Sequence, residues 1–369
     1  MGSFRQNLGL VYFILPFINV VENKFGLIFS ILFGRSKFIA KLKNDIVVSF
    51  PSSKFSRLMD LLGILSYSTY FKKVDQNIEF SLDTKNKFII PIENLSYEDE
   101  NMLELLFGSI KYGANFVTEY KLDKNRYRDK TFRIFSSDGK KIIETSSGIK
   151  FFIDSIHPGN SIIETFVRNI HLVNLNDDFN NKIVIDVGAE CGDTPLYFAS
   201  LGAKVFAFEP IPEHFDAMLR NIKLNPHLSD KIVPIHAGMG KDGNLAFFMD
   251  GSGEVGSASF VENVHGKNAK IAHVDGLSLE TAIKKYNIEH VDLLKMDCKG
   301  CESYLTENSL KNVDRIKIEF SKFGNAKLED LLEKLSAAGF EYMLYQHEPS
   351  HHVSSLIETS IFGAKRNLS

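Results

Sequence analysis

Two short stretches hold residues whose types and spacing could do chemistry. In the first, Asp186, Gly188, Glu190 and Gly192 follow an apolar run, and Glu209-Pro210 closes the next apolar run. In the second, Asp297 and Glu302 flank Lys299-Gly300 directly after another apolar run. Glycines at 188 and 192 let the backbone turn tightly and come close to a ligand. An acid at the end of the next strand, Glu209, would accept both hydroxyls of a ribose, so the first stretch implies a nucleoside ligand. A pyrophosphate is disfavoured, because a dinucleotide fingerprint would want glycine where Glu190 and Asp193 stand. An acidic loop suits a cation instead. Asp297, Glu302 and the nearby Glu319 would either tune one another's proton affinity or hold a divalent cation. No residue is assigned as a metal ligand.

The elements that must position these residues are legible around them. Ile183–Val187 is a β-branched run without polar alternation before Asp186, as expected of a parallel strand buried on both faces. Asp193-Thr194-Pro195 is a helix start, with Pro inside the first turn. Residues 196–201 continue that helix, and 203–208 form the next strand, ending on Glu209. Val291–Met296 is again a buried strand that runs into a glycine turn. Ligands of open α/β sheets bind at the carboxyl ends of such strands. Further strands are expected at 231–236, 244–249, 271–274, 315–320, 341–346 and 357–364, with helices at 213–224, 279–286 and 328–338. Alternating strands and helices that end in a hairpin predict an α/β, Rossmann-like, doubly wound and mostly parallel seven-stranded sheet with a terminal antiparallel hairpin.

The order Asp186-x-Gly188-x-x-x-Gly192, with an acid ending the second strand, resembles the first two motifs of class I methyltransferases that bind S-adenosylmethionine (SAM). Taken with Ala207–Pro210, Arg220-Asn221-Ile222, Gly256–Ser259 and Lys295-Met296-Asp297-x-x-Gly300-x-Glu302, residues 141–365 resemble the FkbM family of SAM-dependent methyltransferases. The resemblance implies O-methylation of a hydroxyl on a saccharide, glycolipid or related metabolite. It also implies that Asp186, Gly188 and Gly192 line the methionine part of SAM, with Glu190 and Pro210 in the same cofactor region. Glu209 would hold the ribose and Asp297 would face the reacting centre, with Glu302 beside it as a second catalytic candidate. Two positions depart from the family pattern: Glu190 stands where Asn is common, and Lys299 where an acid is usual. RNA methylation, or a non-catalytic SAM-binding regulatory or assembly module, are the alternative readings.

The 369 residues carry 43 Lys and Arg against 46 Asp and Glu, a net charge of -3. No basic excess points to nucleic acid, and none is expected as a partner. Residues 1–140 hold 20 basic and 15 acidic residues, leaving 23 and 31 for the remainder. A polyanionic substrate is therefore disfavoured in the carboxyl-terminal part. Cys191, Cys298 and Cys301 show no disulfide framework, and a reducing cytosol is the simpler assumption. Cys298-x-x-Cys301 reads as a pair of small buried residues at a strand end.

The chain divides, on its texture, into residues 1–135, an α+β domain of unassigned role, and residues 136–369, the SAM-dependent domain. Within the first, residues 8–33 are apolar but broken by Pro16 and by Glu22-Asn23-Lys24, too short to span a bilayer. Residues 8–43 are compatible with a peripheral membrane contact in an otherwise cytoplasmic protein, with a dimer contact, or with a helix buried in its own domain. A helix is expected over 56–65 and another over 97–112, capped by Asn94 or Ser96 and stopped by Gly113. Lys121–Arg133 reads as a solvated hinge rich in basic residues. The loop with His347, Glu348, His351 and His352 is placed between the last two strands, where it would either contact substrate or form a solvated turn.

Overall fold

The computed structural model describes residues 2–83, 86–116, 130–157, 159–171, 178–249, 270–321, 327–346 and 358–365. The chain forms two compact units, Met1–Arg168 and Asn169–Ser369.

The first unit begins with helices α1 (Gly2–Ile14) and α2 (Lys24–Leu32) and the antiparallel pair β1 (Lys37–Leu42) and β2 (Ile46–Pro51). Helix α3 (Phe55–Tyr67) buries Leu58, Leu61, Leu62 and Leu65, the positions that the helical period selects. A three-stranded sheet follows, β3 (Tyr70–Val74), β4 (Asn77–Ser81) and β5 (Lys87–Pro91). Helix α4 (Tyr97–Lys111) starts on a capping box in which Ser96 and Asp99 exchange bonds, satisfying two of the free N–H groups of the first turn. A four-stranded sheet closes the unit, in the order β6 (Asn115–Phe116), β7 (Thr131–Ser137), β8 (Lys140–Thr145), β9 (Lys150–Phe152). A helical segment, Gly159–Arg168, ends it.

The sequence boundary at 135/136 is therefore misplaced. It cuts through β7, whose residues 132–137 pair antiparallel with residues 140–145 of β8. A cut there would strip a strand's ladder bonds, so the hairpin at 131–145 belongs with the first unit, and the division falls at Arg168/Asn169.

The second unit is built on seven strands, β10 (Ile183–Val187), β11 (Lys204–Phe208), β12 (Ile232–Ile235), β16 (Val291–Met296), β17 (Val313–Ser321), β18 (Phe340–Gln346) and β19 (Glu358–Lys365). Their order is β12-β11-β10-β16-β17-β19-β18. The first five run parallel and the last two are joined antiparallel, a Rossmann-like α/β sheet with a terminal hairpin. Helices α5 (Asp193–Ser200), α6 (Pro212–Leu224), α7 (Leu279–Lys285) and α8 (Leu328–Ala337) lie between strands in sequence. Ile185, Val187, Leu294, Met296, Ile316 and Ile318 are all buried in one core cluster, which is what β-branched and leucine-rich central strands require. A separate small sheet holds β13 (Gly238–Met239), β15 (Lys270–Leu277) and β14 (Gly243–Met249) in that order; the sequence reading did not separate it from the main sheet.

No described helix is long and apolar enough to cross a membrane. The Gly256–Ser259 stretch, the histidine loop at 347–352 and residues 121–129 of the basic stretch lie outside the described residues.

Candidate active site

The strand order places β10 between β11 and β16, so the Gly188–Gly192 loop, Glu209 and Asp297 meet at the carboxyl ends of adjacent parallel strands. Backbone bonds lock them together. Gly188 N and Ala189 N both donate to Phe208 O, at 3.0 and 3.1 Å, and Asp297 N donates to Val187 O at 2.9 Å. Gly188 has a φ of +78°, and a side chain there would put its Cβ 1.9 Å from the carbonyl oxygen of Asp297. Only glycine lets the two strand ends approach this closely. Gly192 has a φ of +86°, and its Cβ would meet the Met218 side chain of α6 at 3.0 Å. Buried Asn221, also on α6, donates to Cys191 O at 2.9 Å and holds the far end of the same loop.

Glu209 braces this loop from β11. Its Oε2 accepts Glu190 N and its Oε1 accepts Ile211 N, each at 2.8 Å. Each carboxylate oxygen has a second lone-pair direction, so hydroxyls can still be accepted. His214 on α6 places Nδ1 3.7 Å from Glu209 Oε1. Pro210 continues the strand end, with its carbonyl oxygen 3.2 Å from His236 Nε2.

The Glu190 carboxyl is buried beside His214, Glu209 and Asp297. Burial pushes it up to about 7, with Glu209 and Asp297 adding to the rise and His214 opposing it. Burial disfavours the charged form of His214, but its contacts with Glu209 and Glu190 outweigh that and raise it. The backbone at Glu190 is left-handed, with φ of 45°.

Under the loop lies a buried ion pair. Lys295 of β16 is 2 % exposed and Asp186 of β10 is 0 % exposed, with Nζ to Oδ1 at 2.9 Å. Lys295 Nζ also donates to Gly188 O at 3.0 Å, and the Thr194 hydroxyl donates to Asp186 Oδ2. Burial alone would lower Lys295, but attraction to Asp186, Asp297 and Asp193 raises it, so the ammonium keeps its charge. Asp186 is thus one layer below the ligand edge, fixing the loop from beneath.

The second stretch departs from expectation. Cys298 and Cys301 are joined in a disulfide, with Cα atoms 5.6 Å apart. This corrects the reading of the pair as small buried filler and removes the ground on which a reducing compartment was assumed. The bridge closes the turn through Lys299, at φ of 49°, and Gly300, at φ of 122°. Glu302 is fully buried, and its Oε2 accepts Gly300 N at 2.9 Å, so it braces this turn rather than facing an acceptor. Glu319 Oε2 lies 3.4 Å from Lys317 Nζ on its own strand. Among the described residues, Asp297, Glu302 and Glu319 do not form a grouping close enough to share an ion, so the three-carboxylate cation site is not formed. Asp297 remains at the edge, half-buried, directly between the Gly188 turn and the disulfide loop.

Sequence reasoning quoted Lys295 in a motif without giving it a role, and it missed His214 and the bridge. The Lys295–Asp186 pair joins strands 109 positions apart and needs the sheet register, which sets Asp186 opposite Lys295. His214 had a signal, because it follows Pro212 in the first turn of the helix after Glu209.

The comparison with families decides what this arrangement is. Residues 186–342 match the methyltransferase FkbM domain. This stretch of the second unit is thus similar to the FkbM methyltransferase domain, the family that the motifs implied. No curated protein matches the chain. Among solved structures, the chain is similar to M. jannaschii TYW2 in complex with AdoMet, at 14% identity and a TM-score of 0.33, over 63% of this chain and 84% of that one. It is also similar to P. horikoshii TYW2 in complex with MeSAdo, at 15% identity and a TM-score of 0.34, over 63% and 76%. A third is the precorrin-6y C5,15-methyltransferase of Geobacter metallireducens, at 12% and 0.32, over 54% and 88%. Likeness at this level identifies neither substrate nor reaction.

Proposed function

We propose that the second unit is a SAM-dependent O-methyltransferase acting on a hydroxyl of a saccharide, glycolipid or related metabolite. The observation that carries the reading is the convergence of the Gly188–Gly192 turn, Glu209 and Asp297 at the carboxyl ends of three adjacent parallel strands. The FkbM-domain match over residues 186–342 supports it independently.

The donor set fits the cofactor. The loop offers carboxylates and a close backbone approach, which suit a cationic ligand without phosphate. Glu209, held rigid by two backbone N–H groups, would accept the ribose hydroxyls. Glu190 would face the cationic end. Asp186 and Lys295 would contribute by fixing the loop rather than by touching the ligand. Bound SAM supplies a methyl group on a sulfonium sulfur, open to in-line displacement.

Asp297 would receive the acceptor hydroxyl. Its carboxylate would take up the proton of that hydroxyl, while bound SAM would supply the methyl group and leave as S-adenosylhomocysteine. Positioning by the rigid strand end and proton removal together supply the rate. Asp297→Asn keeps the size and removes the base. Methyl transfer from labelled SAM to a glycan or glycolipid extract should fall about 10²- to 10⁴-fold, with SAM affinity held within a few-fold. Near-normal turnover by the variant would remove Asp297 from the mechanism. SAM binding by the wild type without any methylated product would favour a non-catalytic SAM-binding module.

A further inference from the structure

The first unit carries a surface that the methyltransferase chemistry does not use. Helix α2 is two-faced: Leu27 and Ile31 are fully buried, whereas Phe25, Phe29 and Phe33 are 80, 54 and 72 % exposed. These phenylalanines recur every four residues, so they stand in one row along the helix, and the rings of Phe29 and Phe33 stack at 6.0 Å. Helix α1 adds exposed Leu8 and Tyr12, with exposed Leu15 directly after it, and is fastened to α2 where Asn7 Nδ2 donates to Leu32 O at 3.1 Å. Scattered apolar residues on a surface are ordinary, but contiguous aromatic rows mark an interaction site.

Within the segment that carries this row the charges have one sign. Residues 24–43 hold five basic residues, Lys24, Arg35, Lys37, Lys41 and Lys43, and no acidic residue. All five are exposed. Lys37 and Lys41 share the outer face of β1 with exposed Ile39, and Lys41 lies opposite exposed Val47 of β2. Glu22 and Asp45 stand just outside the basic stretch at either end.

We propose that the α1–α2 face of the first unit docks on the surface of an anionic lipid bilayer. Phe25, Phe29, Phe33 and Tyr12 enter the boundary between headgroups and acyl chains, and the lysines and Arg35 contact the headgroup phosphates. Charge decides between occupants. A second copy of this chain in a two-fold contact would bring one set of five cations toward another, whereas an anionic bilayer offers apolar depth and negative charge together. With nine residues α2 cannot span a bilayer, so it lies in the plane of the interface.

Flotation of the full-length chain with phosphatidylcholine vesicles, with and without phosphatidylglycerol, tests this. The wild type should float with the anionic vesicles and be released by salt. Phe25→Ser/Phe29→Ser/Phe33→Ser should lower partitioning by at least about tenfold. Lys37→Glu/Lys41→Glu should lose the preference for phosphatidylglycerol. Both variants should keep the wild-type circular dichroism spectrum, since every altered side chain is exposed. A wild type that stays in solution with anionic vesicles overturns the proposal, as does equal flotation of the phenylalanine variant. A wild-type dimer that the phenylalanine variant converts to monomer, without vesicle binding by either, would assign the face to a second copy.

Discussion

Glu190 gives the site a pH dependence whose size follows from the structure. Its carboxyl titrates near 7, because burial and the charges of Glu209 and Asp297 outweigh the attraction of His214. In the proposed complex its ionised form faces the cationic end of SAM, so binding should draw on the ionised fraction. For a group titrating near 7 that fraction rises from about 0.09 at pH 6 to about 0.76 at pH 7.5, which predicts roughly an eightfold gain in affinity over that interval. Lys295 stays charged throughout and contributes no slope. The sign for the free protein is opposite. A carboxyl raised from 4.5 to about 7 contributes stability that is fully present below 4.5 and is lost as pH rises through 7. Calorimetric titration of SAM at several pH values checks the first, with S-adenosylhomocysteine as the ligand that lacks the sulfonium charge, and urea unfolding of the free protein over the same range checks the second. Glu190→Gln should flatten the SAM profile, and S-adenosylhomocysteine should show a weaker slope than SAM. A wild-type affinity that falls between pH 6 and 7.5, or a Glu190→Gln profile as steep as the wild type's, would refute the placement of Glu190 beside the cation.

Two further outcomes follow from the layer beneath the loop. Lys295→Met should destabilise the protein by about 3–5 kcal/mol in urea unfolding, because it leaves Asp186 buried without its partner, and adding Asp186→Asn should recover most of that loss; a single-variant cost below about 1 kcal/mol would contradict the pair. Gly188→Ala must place its Cβ against the Asp297 carbonyl in a left-handed conformation, and a loss of about 2–5 kcal/mol together with weakened SAM binding is expected; unchanged melting would mean that the strand ends are further apart.

Much of the second unit was legible because its signals are local. The apolar run at Ile183–Val187, the glycines at 188 and 192, and the acid at 209 each state a backbone requirement within a few residues, and the structure meets them in that order. What escaped depends on partners far away in the chain. Lys295 stands in sequence only as one residue of a motif, and the parallel pairing of β10 with β16 shows the partner that neutralises it. The Cys298–Cys301 spacing allows a bridge but does not require one. Glu302 sits where a catalytic acid would, yet the tight turn through Gly300 brings its carboxylate back onto its own backbone. The unit boundary was misread because the 140–152 hairpin looks like a new texture, whereas its ladder partner β7 lies upstream of it. In the first unit the Ser96 cap and the buried face of α3 were legible, since capping and helical periodicity are also local.

The claim that the second unit binds SAM at the β10–β11–β16 edge is tested most directly by calorimetry of SAM with the wild type and with Glu209→Ala. The wild type should bind one equivalent, and the variant, folded by circular dichroism, should bind more weakly by about 1.5–3 kcal/mol, the usual worth of hydrogen bonds to a charged acceptor. Equal affinity of the two proteins, or no heat of SAM binding by the wild type, would contradict it.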